Sequence, residues 1–278
     1  MRMQRRAMLI AAPMMLCFLF LYVFTFLYSL KYTVTESAFS PEFVGLKNYQ
    51  QVFENKYFRL GMKNTFEIMA VSVPILVAFS LFLALEVSAL GGNYRILRGA
   101  FLLPMLIPSA SVMPVFTNLF VSQHSFFYRL FSEWGFSRGQ LARLPVYLLF
   151  LWKNCGFNMI LFLSALRVIP GELYEAASLD GAGRVRLFTR ITLPAIVPTL
   201  FFVTVYSMVQ SLRIFKEVYL LYGAYPDPSV YLVQNYMNNH FYKLNYQYLT
   251  TGAVIFAVIV YVVVAVMYHF EGKRGLSS

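Results

Sequence analysis

Six apolar stretches, each near or above the roughly 20 residues that carry an α-helix across a bilayer, leave this chain few folds to choose from. They cover about 7–30, 65–85, 97–120, 144–167, 191–215 and 248–270. Backbone in hydrocarbon must satisfy its own N–H and C=O groups, so such runs specify transmembrane helices. The expected fold is an all-α integral membrane protein of six spans, a single transmembrane domain over 1–278. Composition agrees: 59% of the residues are hydrophobic, above the roughly 45–50% of soluble domains even when those count Gly.

Charge and cysteine content exclude several functions. The net charge of +11 would suit nucleic acid, but many Lys and Arg flank apolar runs, so membrane topology accounts for much of it and no nucleic-acid partner is expected. Arg2, Arg5 and Arg6 precede a first run too long for a secretory signal and followed by no small-x-small cleavage site, so it is read as an uncleaved span. Basic residues are about twice as dense in the short segments assigned to the cytoplasm as in those assigned outside. Both termini are therefore expected inside a multi-pass cytoplasmic (inner) membrane protein. Cys17 and Cys155 lie in apolar runs and His124, His240 and His269 are isolated, which gives no disulfide framework and no metal spacing.

Between the fourth and fifth runs lies the one long polar, glycine-bearing, charge-dense segment, with its loop expected at about 168–190 and the surrounding stretch running from Val168 to Pro198. Pro170 moves Ile169 away from helical backbone, so the preceding span stops there. A new helix then starts, with Glu172 and Glu175 in its first turns where carboxylates suit the dipole, and Gly181 and Gly183 end it. Arg184, Arg186 and Arg190 follow, and Pro194 is tolerated in the first turns of the next helix. Ala176 and Ala177 would let another protein approach the backbone closely, and Glu175 offers a charge to an Arg or Lys partner.

The ordered series Glu175-Ala176-Ala177, Gly181 and Ile191-Thr192-Leu193-Pro194 resembles the EAA loop of permease subunits of binding-protein-dependent type I ABC importers. Trp152, Gly156 and Met159 resemble the W-x3-G-x2-M pattern that leads into that loop. Phe43 to Tyr49 is similar to the F-x-G-L-x-N-Y segment of carbohydrate-class (maltose-type) permeases. The resemblance implies that Glu175, Ala176, Ala177, Asp180 and Gly181 couple to a separate ATPase. It also implies a second homologous permease subunit, two ATPase subunits, an extracytoplasmic solute-binding protein and a carbohydrate solute. No G-x4-G-K-[ST] phosphate loop occurs, so ATP and magnesium are expected in the partner, with no cofactor and no catalytic residue here. Leu221 to Pro226 keeps only the ends and one glycine of the family's L-T-G-G-G-P turn, which weakens transfer of a particular substrate or binding-protein contact to that stretch.

Polar residues inside the spans are the candidate solute path. Lys153, Asn154 and Asn158 lie near mid-depth of the fourth span, where polar groups are costly in lipid, and the two asparagines are four apart on one face and are expected to face a cavity. In the fifth span, Tyr206, Ser207 and Gln210 share one side. With Trp152 and the fourth-span amides they are placed to meet a hydroxyl-rich solute. Interhelical hydrogen bonding for the amides and hydroxyls, and an ion pair for Lys153, are the alternatives, and sequence leaves both open. An ion-coupled secondary transporter of a small polar solute would use Lys153 and Glu67 but needs a chain of titratable groups that the spans lack, and a membrane enzyme would need a nucleophile-base or metal cluster that the sequence does not offer.

Overall fold

The computed structural model describes residues 12–37, 39–40, 42–90 and 95–275. Arg2, Arg5, Arg6 and the first residues of the expected first span lie outside them. Twelve helices, named α1 to α12 in chain order, organise the rest: α1 Ala12–Val34, α2 Lys47–Glu54, α3 Lys56–Ala89, α4 Arg95–Leu106, α5 Ser109–Phe116 and α6 Phe126–Glu133. They continue with α7 Arg138–Val168, α8 Gly171–Leu179, α9 Leu193–Ser211, α10 Phe215–Tyr222, α11 Val233–Tyr242 and α12 Tyr246–Gly275. A short α-helical segment, Arg184–Leu187, and a π-helical one, Phe188–Thr192, lead directly into α9.

Among the described residues, five helical stretches are long and apolar enough to cross a membrane, and the third expected span supplies a bent pair. Its two arms, Leu97–Leu106 and Ser109–Glu133, meet at 90°. Pro108 explains the break: it has no N–H to donate, it disfavours helical backbone at Ile107, and its own ψ of 132° is extended. Pro74 is different, since α3 passes through it without ending. The expected outer connections are helical in part, as α6, α10 and α11.

Two compact units divide the chain: Met1–Met62 with Val233–Val263, and Lys63–Leu232 with Val264–Ser278. In the first, the side chains of α1 from Met14 to Tyr28 remain exposed, an apolar surface that only lipid or another apolar protein can cover. The Phe43–Tyr49 segment has a physical logic there. Gly45 takes φ +59°, a conformation costly for other residues, and α2 follows. From its first turn, the buried Asn48 Nδ2 donates to the carbonyls of Thr33 (3.1 Å) and Thr35 (2.8 Å), tying α2 to the end of α1. Asn48→Ala leaves those buried carbonyls without their donor and is expected to cost about 1–3 kcal/mol, to be measured by thermal melting of the purified chain against Asn48→Gln. On α11, Tyr236 packs on Phe58 at 5.3 Å between ring centroids, and His240 lies 4.3 Å from Tyr236 and 5.4 Å from Tyr248. Burial first, then the Lys243 charge, lower the His240 pKa to about 4, so it is neutral at pH 7.

The second unit holds two apolar clusters. One gathers Leu76, Val146, Leu149, Val218 and Leu232; the other gathers Val73, Met159, Phe162, Ile196 and Val203. Between α4 and α7 the backbones touch: a Cβ on Gly156 would fall 1.8 Å from the carbonyl oxygen of Phe101. The family-like glycine of the fourth span is thus a packing residue. Met159, three positions on, is fully buried in the second cluster.

Candidate functional site: an exposed inter-span helix and the polar groups of the spans

The polar segment after α7 folds as its residues dictate. Pro170 is extended, and α8 runs from Gly171 with Glu172 in its first turn. At the far end Asp180 caps the helix and Gly181 takes φ +78°. Gly181 N–H donates to Ser178 O at 3.0 Å and Ala182 N–H to Ala177 O at 2.9 Å, the paired bonds of a Schellman stop that require the left-handed residue a glycine supplies. The sequence pattern therefore locates both ends of this helix to within a residue or so.

Glu175, Ala176 and Asp180 are exposed and Ala177 is half-buried. Leu179, at 90% exposure, presents an uncovered apolar side chain on the last turn. On the inner face Tyr174 Oη lies 2.9 Å from Thr192 Oγ1, and Thr192 is buried just before α9. This bond joins the projecting helix to the base of the next span. An open groove of about 580 Å³ beside Gly181 is walled by Arg184, Arg186 and Arg190. The arrangement is a short knob with an acidic and small-residue surface, a cationic flank and a fixed attachment to a membrane helix.

Within the spans, the candidate polar residues separate by partner. Lys153 Nζ donates to Ser109 Oγ at 2.5 Å and lies 3.5 Å from Glu217 Oε1, while Ser109 Oγ donates to that carboxylate at 2.8 Å. Asn158 is fully buried and its Nδ2 donates to the equally buried Ser207 Oγ at 2.8 Å, joining α7 to α9. Asn154, one turn earlier, donates to the carbonyl of Phe150 in its own helix at 2.8 Å. The two amides thus go to different partners instead of one common cavity. Gln210 Nε2 donates to Tyr206 Oη, and Tyr206 packs on Phe157 with centroids 5.0 Å apart. Trp152 is 37% exposed and borders an open apolar groove of about 590 Å³ with Phe101, Pro104 and Phe116.

Sequence reasoning missed two sets of partners. Glu217 and Ser109 complete the Lys153 site, and the only signal was the acidic residue just beyond the fifth span. The second set centres on Arg143: Nη2 donates to Asn64 Oδ1 (2.9 Å) and Glu67 Oε2 (2.8 Å), and Nε donates to Ser229 O (2.8 Å). Asn64 Nδ2 in turn donates to Pro228 O (2.7 Å) and Tyr231 O (2.9 Å). Glu67 is thus one of three acceptors gathered by Arg143. Among the described residues, no group of His, Cys, Asp and Glu is arranged to hold a metal ion.

Membrane-length helices, polar side chains bonded to one another within the spans, and a short helix stopped by Gly181 between two of those spans make a polytopic membrane protein. Comparison with known proteins gives the family. The model of the binding-protein-dependent transport system inner membrane component matches residues 77–275, and the chain belongs to this family. It is accordingly a multi-pass membrane subunit of an ABC importer, a transport subunit and not an enzyme, with ATP hydrolysis in a separate subunit. A probable ABC transporter permease protein, YesP of Bacillus subtilis (strain 168), is 28% identical over 88% of this chain and 85% of its own length. The sulfoquinovosyl glycerol transport system permease protein SmoG of Agrobacterium fabrum (strain C58) is 28% identical over 78% of this chain and 72% of its own. The sn-glycerol-3-phosphate permease protein UgpA of Yersinia pestis is 33% identical over 64% and 62%. A chain of a bacterial ABC transporter that imports the acidic polysaccharide alginate superposes with a TM-score of 0.80 at 23% identity, covering 98% of this chain and 97% of that one, and so shares the fold.

Proposed function

We propose that this chain forms half of the translocation pathway of a type I ABC importer for a sugar or oligosaccharide. It pairs with a second, similar permease, two ATPase subunits and an extracytoplasmic solute-binding protein. ATP and magnesium belong to the ATPases, and no cofactor is assigned to this chain. The carbohydrate reading rests on the relatives, whose named solutes are a sulfoquinovosyl glycerol and glycerol phosphate, and on the neighbour that imports alginate. Both termini and the 168–190 loop are assigned to the cytoplasm within a single membrane domain, and the Arg143 clamp to the outer side. The six spans assigned to the chain include the bent pair as one.

The observation that carries the mechanism is the bond from Tyr174 to Thr192. A helix held to the following span in this way moves that span when its docking partner moves. Glu175, Ala176, Ala177, Asp180 and Gly181 form the ATPase-facing surface, with Leu179 as its apolar contact. Closure of the ATPases would act on the bundle only through the differential affinity of that surface for the two ATPase states. Trp152, Asn154, Tyr206 and Gln210 keep enough exposed or half-buried surface to meet a hydroxyl-bearing solute. Asn158 and Ser207 support them by holding α7 to α9.

The docking test uses two glycines in matched backbone conformations. Gly181 and Gly135 have φ +78° and +84°, and neither would place a Cβ within 4 Å of another group. Tryptophan at either site carries similar local strain. Only Gly181→Trp is expected to lower the amount of ATPase that co-purifies, by at least about tenfold, equivalent to about 1.4 kcal/mol of docking free energy. Equal retention of the ATPase by both variants would remove α8 from the docking surface.

A further inference from the structure

We infer that Glu217 and Ser109 are the positioning partners of Lys153, and that the three side chains fix where the broken third span docks on the bundle. This goes beyond the transport reading, which assigns neither Glu217 nor Ser109. The three residues come from different elements of one compact unit. Lys153 is at the middle of α7, Glu217 is in the first turn of α10, and Ser109 is the first residue of α5, directly after the Pro108 break.

The need for such a device follows from the solvent. In water, an apolar segment is driven onto a core; in a bilayer, lipid chains are as apolar as the core, so apolar contact alone does not select one docking position. The α5 segment is a demanding case because the chain turns by 90° at the break. A polar contact withdrawn from water supplies the missing selectivity, because its groups find partners in one arrangement and none when facing lipid. Lys153 and Glu217 side chains are only 17% and 15% exposed, so each charge is largely withdrawn from water and depends on its partners in the site. Ser109 makes the arrangement specific to the break. Its hydroxyl accepts from Lys153 and donates to Glu217, while the direct Lys153–Glu217 separation of 3.5 Å is longer than either bond through the hydroxyl. The serine is thus the bridge of the pair, and it holds the start of α5 in place.

The reader of this geometry is Cys155. It is buried two residues from Lys153 and lines the groove shared with Phe101, Pro104 and Phe116 from the two arms of the break. If α5 loosens, Cys155 becomes accessible. The test follows N-ethylmaleimide labelling of Cys155 in the full-length Cys17→Ser chain, in nanodiscs with the subunits that co-purify. Lys153→Met and Glu217→Gln are each expected to raise the labelling rate at least about tenfold. Ser109→Ala, which removes the bridge without removing a charge, should raise it about threefold. The reversed pair K153E/E217K keeps both charges and the serine and should return the rate to within about threefold of the parent.

Parent-like labelling in the single variants overturns the inference. So does a reversed pair that assembles normally yet labels as fast as the singles, since Lys153 would then act alone. If the charge variants fail to assemble, Ser109→Ala decides: faster labelling supports the bridge and an unchanged rate overturns it. The measurement needs neither solute nor nucleotide, so its failure is distinct from a failure of ATPase docking at α8.

Discussion

Gly156→Ala is expected to disrupt the packing of the second unit severely. The added carbon would lie 1.8 Å from the Phe101 carbonyl oxygen and 2.5 Å from its carbonyl carbon. No rotamer change relieves this contact because both sides are backbone. The helices α4 and α7 would have to separate by more than an ångström, opening the closest approach in a packed interior. Overpacking with flexible side chains costs about 1–3 kcal/mol; a rigid backbone contact belongs at or above the upper end, so a loss of about 3 kcal/mol or more is expected. That corresponds to more than a hundredfold fall in the folded-to-unfolded ratio. Gly252→Ala provides the comparison, with its Cβ 3.3 Å from ring atoms of Phe58 and Tyr236, which can shift; it should cost under about 1 kcal/mol. Thermal melting and the monodisperse yield in detergent measure both. A Gly156→Ala chain as stable as Gly252→Ala would mean that α4 and α7 do not meet at this glycine.

The same position shows what the sequence conveyed and what it withheld. The W-x3-G-x2-M pattern identified Gly156 as special through family resemblance, but the reason lies in Phe101, which is remote in sequence. The all-helical membrane fold and the ends of α8 were legible because their causes are local: apolar run length, Pro170, and a glycine able to take positive φ. The third apolar run holds Pro104, Pro108 and Pro114, and which of these prolines breaks it depends on surroundings that periodicity does not report. Lys153 was legible as an expensive group needing a partner, and a carboxylate in the bundle was one of its two readings. That the carboxylate belongs to Glu217, with Ser109 between, could not be read because three helices must first be brought together. Asn158 and Ser207 illustrate the same limit, as a buried amide and hydroxyl pattern identically whether they meet a solute or each other.

Arg143→Met is expected to release the segment between α10 and α11 while leaving the membrane helices in place. The guanidinium donates to a carboxylate, a side-chain amide and a main-chain carbonyl from two different parts of the chain. Methionine replaces the aliphatic volume and removes all three bonds. Glu67 would retain Lys63 at 3.6 Å, a pair whose lysine is 70% exposed and therefore contributes little. Buried Asn64 would keep its bonds to Pro228 and Tyr231 but lose the donor that orients its amide. Bonds to charged groups contribute about 1.5–3 kcal/mol each, and with Asn64 still holding the segment the net loss should be about 2–3 kcal/mol. Arg143→Lys is the informative companion, because an ammonium can neutralise Glu67 but cannot reproduce the planar fork that reaches Asn64 and Ser229 together. Limited proteolysis between Gly223 and Ser229 should accelerate at least about tenfold in Arg143→Met and by an intermediate amount in Arg143→Lys. The segment lies on the side assigned to the solute-binding protein, so uptake by the assembled transporter should fall with proteolytic protection while ATPase co-purification stays unchanged. Parent-like proteolysis in both variants would show that Asn64 and the apolar residues Val230 and Leu232 hold the segment without Arg143.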